Sequence, residues 1–125
     1  MIFDTDVMIW YMRGNDKAFK AIDESDRRTI SIMTYMELIQ GARDKKDQSA
    51  IRETLSEFSF QTLPITENIA HRAAIYMEEH CMKVSLCPAD AIIAATAVEM
   101  DISLCTANNK HFKVIEELDI KLFRP

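Results

Sequence analysis

Short apolar runs alternate with longer segments of helical periodicity along this chain of 125 residues. Apolar positions repeat every three to four residues in an amphipathic helix, whereas short apolar or alternating runs are typical of strands. The short runs predict strands at 2–3, 29–32, 103–105 and 120–122 and, as an edge strand or a simple connector, at 60–63. The longer segments predict helices at 7–13, 16–22, 34–43, 48–58, 67–81 and 88–100.

Several of the predicted helices carry local start and stop signals. Gly14-Asn15 is typical of a helix end, Thr66 is a good N-cap, and Pro88 is favoured in a first helical turn. The helix after Thr66 also has an apolar stripe, which we expect to be buried. Its members are Ile69, Ala70, Ala73, Ala74 and Met77.

Strands separated by helices predict a parallel sheet covered on both faces, and therefore an α/β fold. The segment 89–98 is apolar nearly all round apart from one acid, so we expect its helix to be central and buried. The chain contains two glycines and three prolines, too few for a linker. We therefore expect one domain that spans residues 1–125.

Composition narrows the classes of function. The net charge of -5 argues against a protein that coats nucleic acid by neutralising phosphates. The uncharged run 91–98 is too short to cross a bilayer, and acids at positions 4 and 6 do not fit a signal peptide. Three cysteines without C-x-x-C spacing indicate free thiols in a reducing compartment. We expect a cytoplasmic protein with no membrane segment.

Three carboxylates stand isolated within apolar segments. Asp4 directly follows the first predicted strand, Glu37 is the only charged residue of 29–42, and Asp90 is the only one of 84–98. Ionised carboxylates are rarely placed among core residues without a partner. None of the three has a lysine or arginine nearby in the sequence, so each needs another explanation.

The positions of these acids along their elements agree with each other. Asp4 ends a strand, Glu37 lies early in the helix after the second strand, and Asp90 lies in the first turn of its helix. In an open parallel sheet these places converge at the carboxyl edge, where binding sites form. Carboxylates that are brought together repel, and a hard divalent cation is the usual remedy. The pattern therefore predicts a divalent-metal site.

Each acid also has a purely structural interpretation. The helix dipole favours Asp90 in a first turn, and Thr34-x-x-Glu37 fits a capping box that would turn Glu37 toward the backbone. Asp6 precedes the first predicted helix, and we predict that it is the N-cap. Asp4 is harder to explain in this way, because a second cap two residues earlier would be redundant.

Four segments contain these acids and one further polar element: FDTDVMIW, TYMELIQGAR, PADAIIAATAVEM and LCTANNKHF. Together, in order and spacing over essentially the whole chain, they resemble the PIN-domain family in its toxin branch, the VapC ribonucleases. The resemblance implies a compact three-layer α/β/α domain on a short parallel sheet. It also implies an endoribonuclease that uses Mg2+ or Mn2+ to hydrolyse RNA, forms a homodimer and is inhibited by a VapB-type antitoxin in a groove.

The resemblance also assigns site residues by position. It makes Asp4, Glu37 and Asp90 the acidic cluster, with Asp4 and Asp90 as direct metal ligands. Glu37 would bind the metal through a water or orient the attacking water. Thr106 and Asn108 fall on a Thr-x-Asn/Asp element that closes the site, where they would hydrogen-bond the carboxylates or the scissile phosphate.

The chain departs from the family pattern after its fourth predicted strand. Some relatives have an aspartate where this chain has Asn108, and many have another acid where it has His111. The fourth acidic position of the family is therefore neutral here. Three carboxylates remain to hold the metal ion.

Two other interpretations stay open. Asp4-x-Asp6 after a strand also resembles phosphotransferases of the haloacid dehalogenase type, in which the first aspartate is a nucleophile. The glycine-containing turn and the late paired acids of that class are absent from this sequence. The chain could instead be a catalytically inactive partner-binding module with a groove for an amphipathic helix. Candidate groove residues are Trp10, Tyr11, Met12, Met33, Met36, Phe58 and Phe60.

Overall fold

Five short strands form one parallel sheet in the computed structural model, which describes all residues from 1 to 125. The strands are β1 (Ile2–Phe3), β2 (Thr29–Ser31), β3 (Gln61–Leu63), β4 (Leu104–Thr106) and β5 (Ile120–Leu122). Their order across the sheet is β3-β2-β1-β4-β5, and every pair is parallel. The predicted α/β class is confirmed, and segment 60–63 does contain an edge strand.

Seven helices connect and cover these strands. They are α1 (Thr5–Met12), α2 (Asp16–Asp23), α3 (Ile32–Gln40), α4 (Lys45–Glu57), α5 (Glu67–Val84), α6 (Pro88–Glu99) and α7 (Asn109–Phe112). Six of them were predicted, with bounds that differ by at most three residues. Helix α7 was not predicted, because a helix of four residues is too short to show periodicity. None of the helices is both long and apolar enough to cross a membrane.

The two faces of the sheet carry separate hydrophobic cores. Successive strand residues point to opposite faces. Accordingly, Ile2 and Leu104 pack with α5 and α6, whereas Phe3 and Cys105 pack with α1, α2 and α4. The molecule is therefore a three-layer α/β/α sandwich, as the resemblance implied.

Helix α6 is buried nearly all round, as predicted. Its fully buried residues are Ala91, Ile93, Ala94, Ala95, Thr96 and Ala97. Because the Thr96 hydroxyl donates to the carbonyl oxygen of Ile92 at 2.7 Å, this helix leaves no unsatisfied hydroxyl in the core.

The predicted stripe of α5 is wrong at two positions. Ala70 and Ala74 are exposed, and the buried side of the helix is formed by Ile69, Ala73 and Tyr76. The sequence pattern could not separate the two sides, because alanine is favoured in helices whether it is buried or exposed.

Two helices begin earlier than predicted, directly at the ends of their strands. Helix α1 starts at Thr5, and Asp4 is its N-cap, so the prediction that Asp6 is the N-cap is wrong. Helix α3 is capped by Ser31, which places Thr34 inside the helix and rules out the capping box that was the structural alternative for Glu37. In both cases the residue at the end of the strand is polar and caps the helix immediately.

Candidate active site

The carboxyl edge of the sheet brings Asp4 and Thr106 together. Asp4 follows β1, and Thr106 ends β4, which pairs with β1. Oδ2 of Asp4 accepts a hydrogen bond of 2.7 Å from the Thr106 hydroxyl, and Oδ1 accepts one of 2.8 Å from the backbone N–H of Thr5. Asp4 is only 6% exposed. The predicted contact between Thr106 and a carboxylate is therefore present.

The surroundings of Asp4 disfavour its ionised form. Burial above all, together with the nearby charges of Asp6 and Asp90, raises its pKa to about 7, and the hydrogen bonds from Thr106 and Thr5 lower the pKa and limit this rise. Asp4, Asp6 and Glu37 form no ion pair with any lysine, arginine or histidine. A buried carboxylate that is surrounded by other carboxylates and lacks a cation is typical of a functional site.

Asp90 reaches the same edge from the first turn of α6. Its side chain is 17% exposed, and Oδ2 lies 3.3 Å from Nδ1 of His111. The same oxygen accepts a long hydrogen bond of 3.5 Å from the backbone N–H of Cys87, the N-cap residue. Asp90 thus has the capping contact expected of a first-turn acid, and its charge also acts on Asp4.

Glu37 joins this arrangement through a neighbouring hydroxyl. Its Oε1 accepts a hydrogen bond of 2.6 Å from the hydroxyl of Thr5, which lies 3.1 Å from the hydroxyl of Thr34. Thr5 links the two acids, because its backbone N–H donates a hydrogen bond to Asp4 and its hydroxyl donates one to Glu37. Sequence reasoning missed Thr5, although its place directly after Asp4 was a possible signal.

Asn108 contacts the polar residues behind the acids and not the acids themselves. Its backbone N–H donates to the Thr106 hydroxyl at 2.9 Å, and its side chain caps α7. The amide Nδ2 lies 3.0 Å from Nδ1 of His111. No hydrogen bond joins the Asn108 side chain to a carboxylate.

Asp6 lies in the first turn of α1, beside this edge of the sheet, and not at the N-cap as predicted. Its Oδ2 accepts a hydrogen bond of 3.1 Å from the backbone N–H of Ala107, and its Oδ1 accepts one of 2.7 Å from Val7. Burial raises the pKa of Asp6, the backbone hydrogen bonds lower it, and the charge of Asp90 raises it. The available signal was the D-x-D pattern, but the predicted helix start was two residues too late.

A groove opens beside Glu37, between α1, α3 and α4. Its volume is about 680 Å3. Apolar residues form its floor, namely Ile9, Met12, Leu38 and Ile51. The charged residues Arg13, Glu37, Arg43 and Asp47 also line it, and Arg43 pairs with Asp47 at 3.6 Å. Of the seven groove residues suggested by the sequence, only Met12 lies here.

The model of the PIN domain family matches residues 1–118. This chain belongs to the PIN-domain family. The match covers all four segments that carry the resemblance, together with the acidic edge. The haloacid-dehalogenase alternative for Asp4 is set aside on this finding.

Named relatives agree with this membership. Ribonuclease VapC10 of Mycobacterium tuberculosis is 32% identical over 124 aligned residues, and the match covers 94% of this PIN domain and 90% of that protein. A toxin-antitoxin complex from Klebsiella pneumoniae contains a chain that is 31% identical with a TM-score of 0.79, covering 94% of this chain and 93% of its own. VapBC-1 from nontypeable Haemophilus influenzae has the same fold at 24% identity, with a TM-score of 0.80 and 98% coverage of both chains.

The donor set of this PIN domain fits a divalent metal ion chemically. The grouped acids offer only oxygen ligands, which hard divalent cations prefer, and a cation would relieve the repulsion on buried Asp4. In the conformation described, no three His, Cys, Asp or Glu side chains lie close enough together to hold an ion. Metal binding would therefore require these side chains to move toward one another.

Proposed function

We propose that this PIN domain, residues 1–125, is a divalent-metal-dependent endoribonuclease and the toxin of a VapBC-type toxin–antitoxin pair. The observation that carries the proposal is buried Asp4, whose charge is opposed by Asp6 and Asp90 and balanced by no cation. The ribonuclease relative, 32% identical over 94% of this chain, supports RNA as the substrate.

The proposed roles follow from the contacts. Asp4 and Asp90 are the metal ligands, and Thr106 orients Asp4 and favours its ionised form by donating to Oδ2. Glu37, held by Thr5, binds metal through a water or orients the attacking water. Asn108 acts on Asp4 only indirectly, because its backbone N–H donates to the Thr106 hydroxyl and holds that hydroxyl in place. When bound, Mg2+ or Mn2+ would supply a nucleophilic water and stabilise the leaving oxygen.

We propose a VapB-type antitoxin as the partner that occupies the groove beside Glu37. An apolar floor bordered by charged side chains of both signs suits the apolar face of an amphipathic segment. Since Glu37 lines one part of this groove, a bound segment would also hinder access of RNA to the acids. The Klebsiella pneumoniae relative is itself a toxin-antitoxin complex.

We also propose that the protein forms a homodimer and that it acts in the cytoplasm, where RNA is found. Light scattering after gel filtration measures the mass in solution, which should be twice the 14.4 kDa of one chain. A mass of one chain at micromolar concentration would contradict the dimer.

Incubation with structured and unstructured RNAs, in Mg2+, Mn2+ or EDTA, tests the activity. Asp4→Asn should lower cleavage at least about a hundredfold, since it removes a charged ligand. The control is Asp16→Asn, which removes an exposed first-turn acid of α2 and should leave cleavage unchanged. Cleavage that persists in EDTA or in Asp4→Asn would refute the metal-dependent mechanism. Absence of cleavage by the wild type under every condition would favour the catalytically inactive binding module.

A further inference from the structure

The segment after β4 brings positive charge to the edge of the sheet where the acids lie. Residues 102–115 contain no aspartate or glutamate, but they contain Lys110 and Lys113. The segments after β1 and β2 differ, because they bring Asp4 and Glu37 to the same edge. One side of the candidate active site is therefore cationic, in a chain whose net charge is -5.

Helix α7 holds this positive charge in a fixed position. Phe112 is buried in the core that includes α5 and α6, and the side chain of Asn108 caps the helix. Toward the acids, Nδ1 of His111 lies 3.3 Å from Oδ2 of Asp90. The backbone N–H of Asn108 also donates to the Thr106 hydroxyl at 2.9 Å. These contacts attach α7 directly to residues of the candidate active site.

Lys110 and Lys113 are exposed on this anchored helix, and neither forms an ion pair. The backbone of Lys113 is still helical, with φ -63° and ψ -18°, and residues three positions apart share one side of a helix. The two residues between them have other contacts, since His111 faces Asp90 and Phe112 lies in the core. Both ammonium groups are therefore free to contact a molecule that is bound at the acids.

An RNA strand at this edge requires such cations. Each of its linking phosphates carries a negative charge, which the acids and the net charge of the protein repel. Neutralisation at the acids reaches only the phosphate that lies nearest to them, so the neighbouring phosphates need cations of their own. Lysine supplies them, because a contact between an ammonium group and a phosphate releases counterions from the RNA.

We propose that Lys110 and Lys113 bind the phosphates next to the scissile one and hold the RNA strand against the acids. The inference rests on the proposed function, and it identifies the surface that binds the substrate. Contacts to phosphates carry no sequence information. The two lysines therefore contribute to the affinity for RNA and not to the choice of the base sequence that is cleaved.

Fluorescence anisotropy with a labelled single-stranded RNA in EDTA measures binding without cleavage. Lys110→Gln combined with Lys113→Gln should weaken binding about tenfold, because each exposed ion pair contributes about threefold. The slope of log Kd against the logarithm of salt concentration should fall by about 1.4, since two phosphate contacts are lost. In Mn2+, the KM for cleavage should rise about tenfold at unchanged kcat, because the lysines do not contact the reacting atoms.

The matched control is Lys17→Gln combined with Lys20→Gln. These two lysines are also exposed and three positions apart, but they lie on α2, which follows the end of α1 that is farther from the acids. The control pair should bind RNA like the wild type. Arginine at both positions 110 and 113 keeps the charge and should also keep the RNA affinity. A loss in the arginine pair equal to that in the glutamine pair would contradict a role of the charge and overturn the inference.

Other outcomes separate this inference from the proposed function. If the glutamine pair keeps the wild-type Kd, salt dependence and KM while the wild type cleaves RNA, the inference is wrong and the proposed function stands. If the wild type binds RNA through the lysines but cleaves none in Mn2+, the proposed function fails and the RNA-binding surface stands. A change of Mn2+ affinity in calorimetry, without a change of RNA affinity, would show that the lysines only offset the charge of the acids, which also overturns the inference.

Discussion

The hydroxyl of Thr106 donates a hydrogen bond of 2.7 Å to Oδ2 of Asp4, although the two residues are 102 positions apart. Pairing of β1 with β4 brings them together. A hydrogen bond to the ionised form of an acid lowers its pKa, so the hydroxyl opposes the effect of burial on Asp4. Thr106 thereby favours the charged carboxylate that a divalent cation requires.

Thr106→Val, which keeps the shape of the side chain but removes the donor, should raise the pKa of Asp4. We expect Mn2+ affinity to fall about tenfold and the metal-free protein to lose about 1.5 kcal/mol of stability at pH 8, where Asp4 is largely ionised. The loss should be smaller at pH 5. Urea unfolding in EDTA at the two pH values measures it, with Thr62→Val at an exposed position of β3 as control. An equal loss at both pH values would show that the hydroxyl does not act on the charge of Asp4.

The metal-free protein should become less stable as the pH rises from about 4 to about 7. The pKa of Asp4 is raised to about 7 in the folded protein, whereas an unfolded aspartate titrates near 3.9. The stabilisation that protonated Asp4 gives the folded protein is therefore fully present below about pH 4, and it is lost as the pH rises through about 7. The effect is on the order of a few kcal/mol.

Urea unfolding in EDTA at pH 5 and pH 8 tests this dependence. Asp4→Asn should flatten it, because asparagine does not titrate, and Asp16→Asn should behave like the wild type. Mn2+ should restore the stability of the wild type at pH 8, since a cation stabilises the ionised acids. A wild-type protein that is more stable at pH 8 than at pH 5 in EDTA would contradict the buried, unpaired state of Asp4.

The convergence of Asp4 and Asp90 on one edge was predictable because it follows from topology, whereas Thr106 was assigned there only by the family resemblance. Alternation of strands and helices predicts a parallel sheet, and the carboxyl ends of parallel strands share one edge. An isolated acid directly after an apolar run is then expected at that edge. The sequence therefore indicated which residues meet, although not which atoms bond.

The position of Asp6 in the first turn of α1 was not predictable in the same way, because it depends on the residue at which the helix begins. Asp4 and Asp6 are both good N-caps, and a shift of two residues exchanges the capping acid for the acid in the first turn. Ser31 and Thr34 present the same ambiguity at the start of α3. Helix starts are set by tertiary contacts of the preceding strand, which the local sequence does not report.

The groove beside Glu37 gives a prediction for partner binding. Ile9 lines its floor and is 38% exposed. Ile9→Asp should weaken binding of the proposed VapB-type antitoxin at least tenfold, since it places a charge in an apolar contact. Ile75→Asp on α5 is the control, because Ile75 is exposed to a similar degree but lies outside the groove. Calorimetry with the purified proteins measures the affinity, and an equal loss in both variants would place the partner elsewhere.

Asn108→Asp places an acid at the position where some relatives have one. The contacts of Asn108 predict that this change has a small effect on Mn2+ affinity. The new carboxylate should accept from His111, whose Nδ1 lies 3.0 Å from the present amide, and should keep its capping role in α7. A carboxylate that accepts a hydrogen bond from an imidazole has one lone pair fewer for a cation. Asn108→Asp alone should therefore change Mn2+ affinity less than about twofold.

The double variant Asn108→Asp with His111→Ala should bind Mn2+ about tenfold more tightly than His111→Ala alone, because the unpaired carboxylate is then available to the metal. The double variant should also melt at a lower temperature in EDTA, since one more acid repels Asp90 and Asp4. Titration calorimetry and thermal unfolding of the four proteins complete a double-mutant cycle, which isolates the coupling between Asn108 and His111. Tight Mn2+ binding by Asn108→Asp in the presence of His111 would show that the position faces the acids directly and that His111 does not control it.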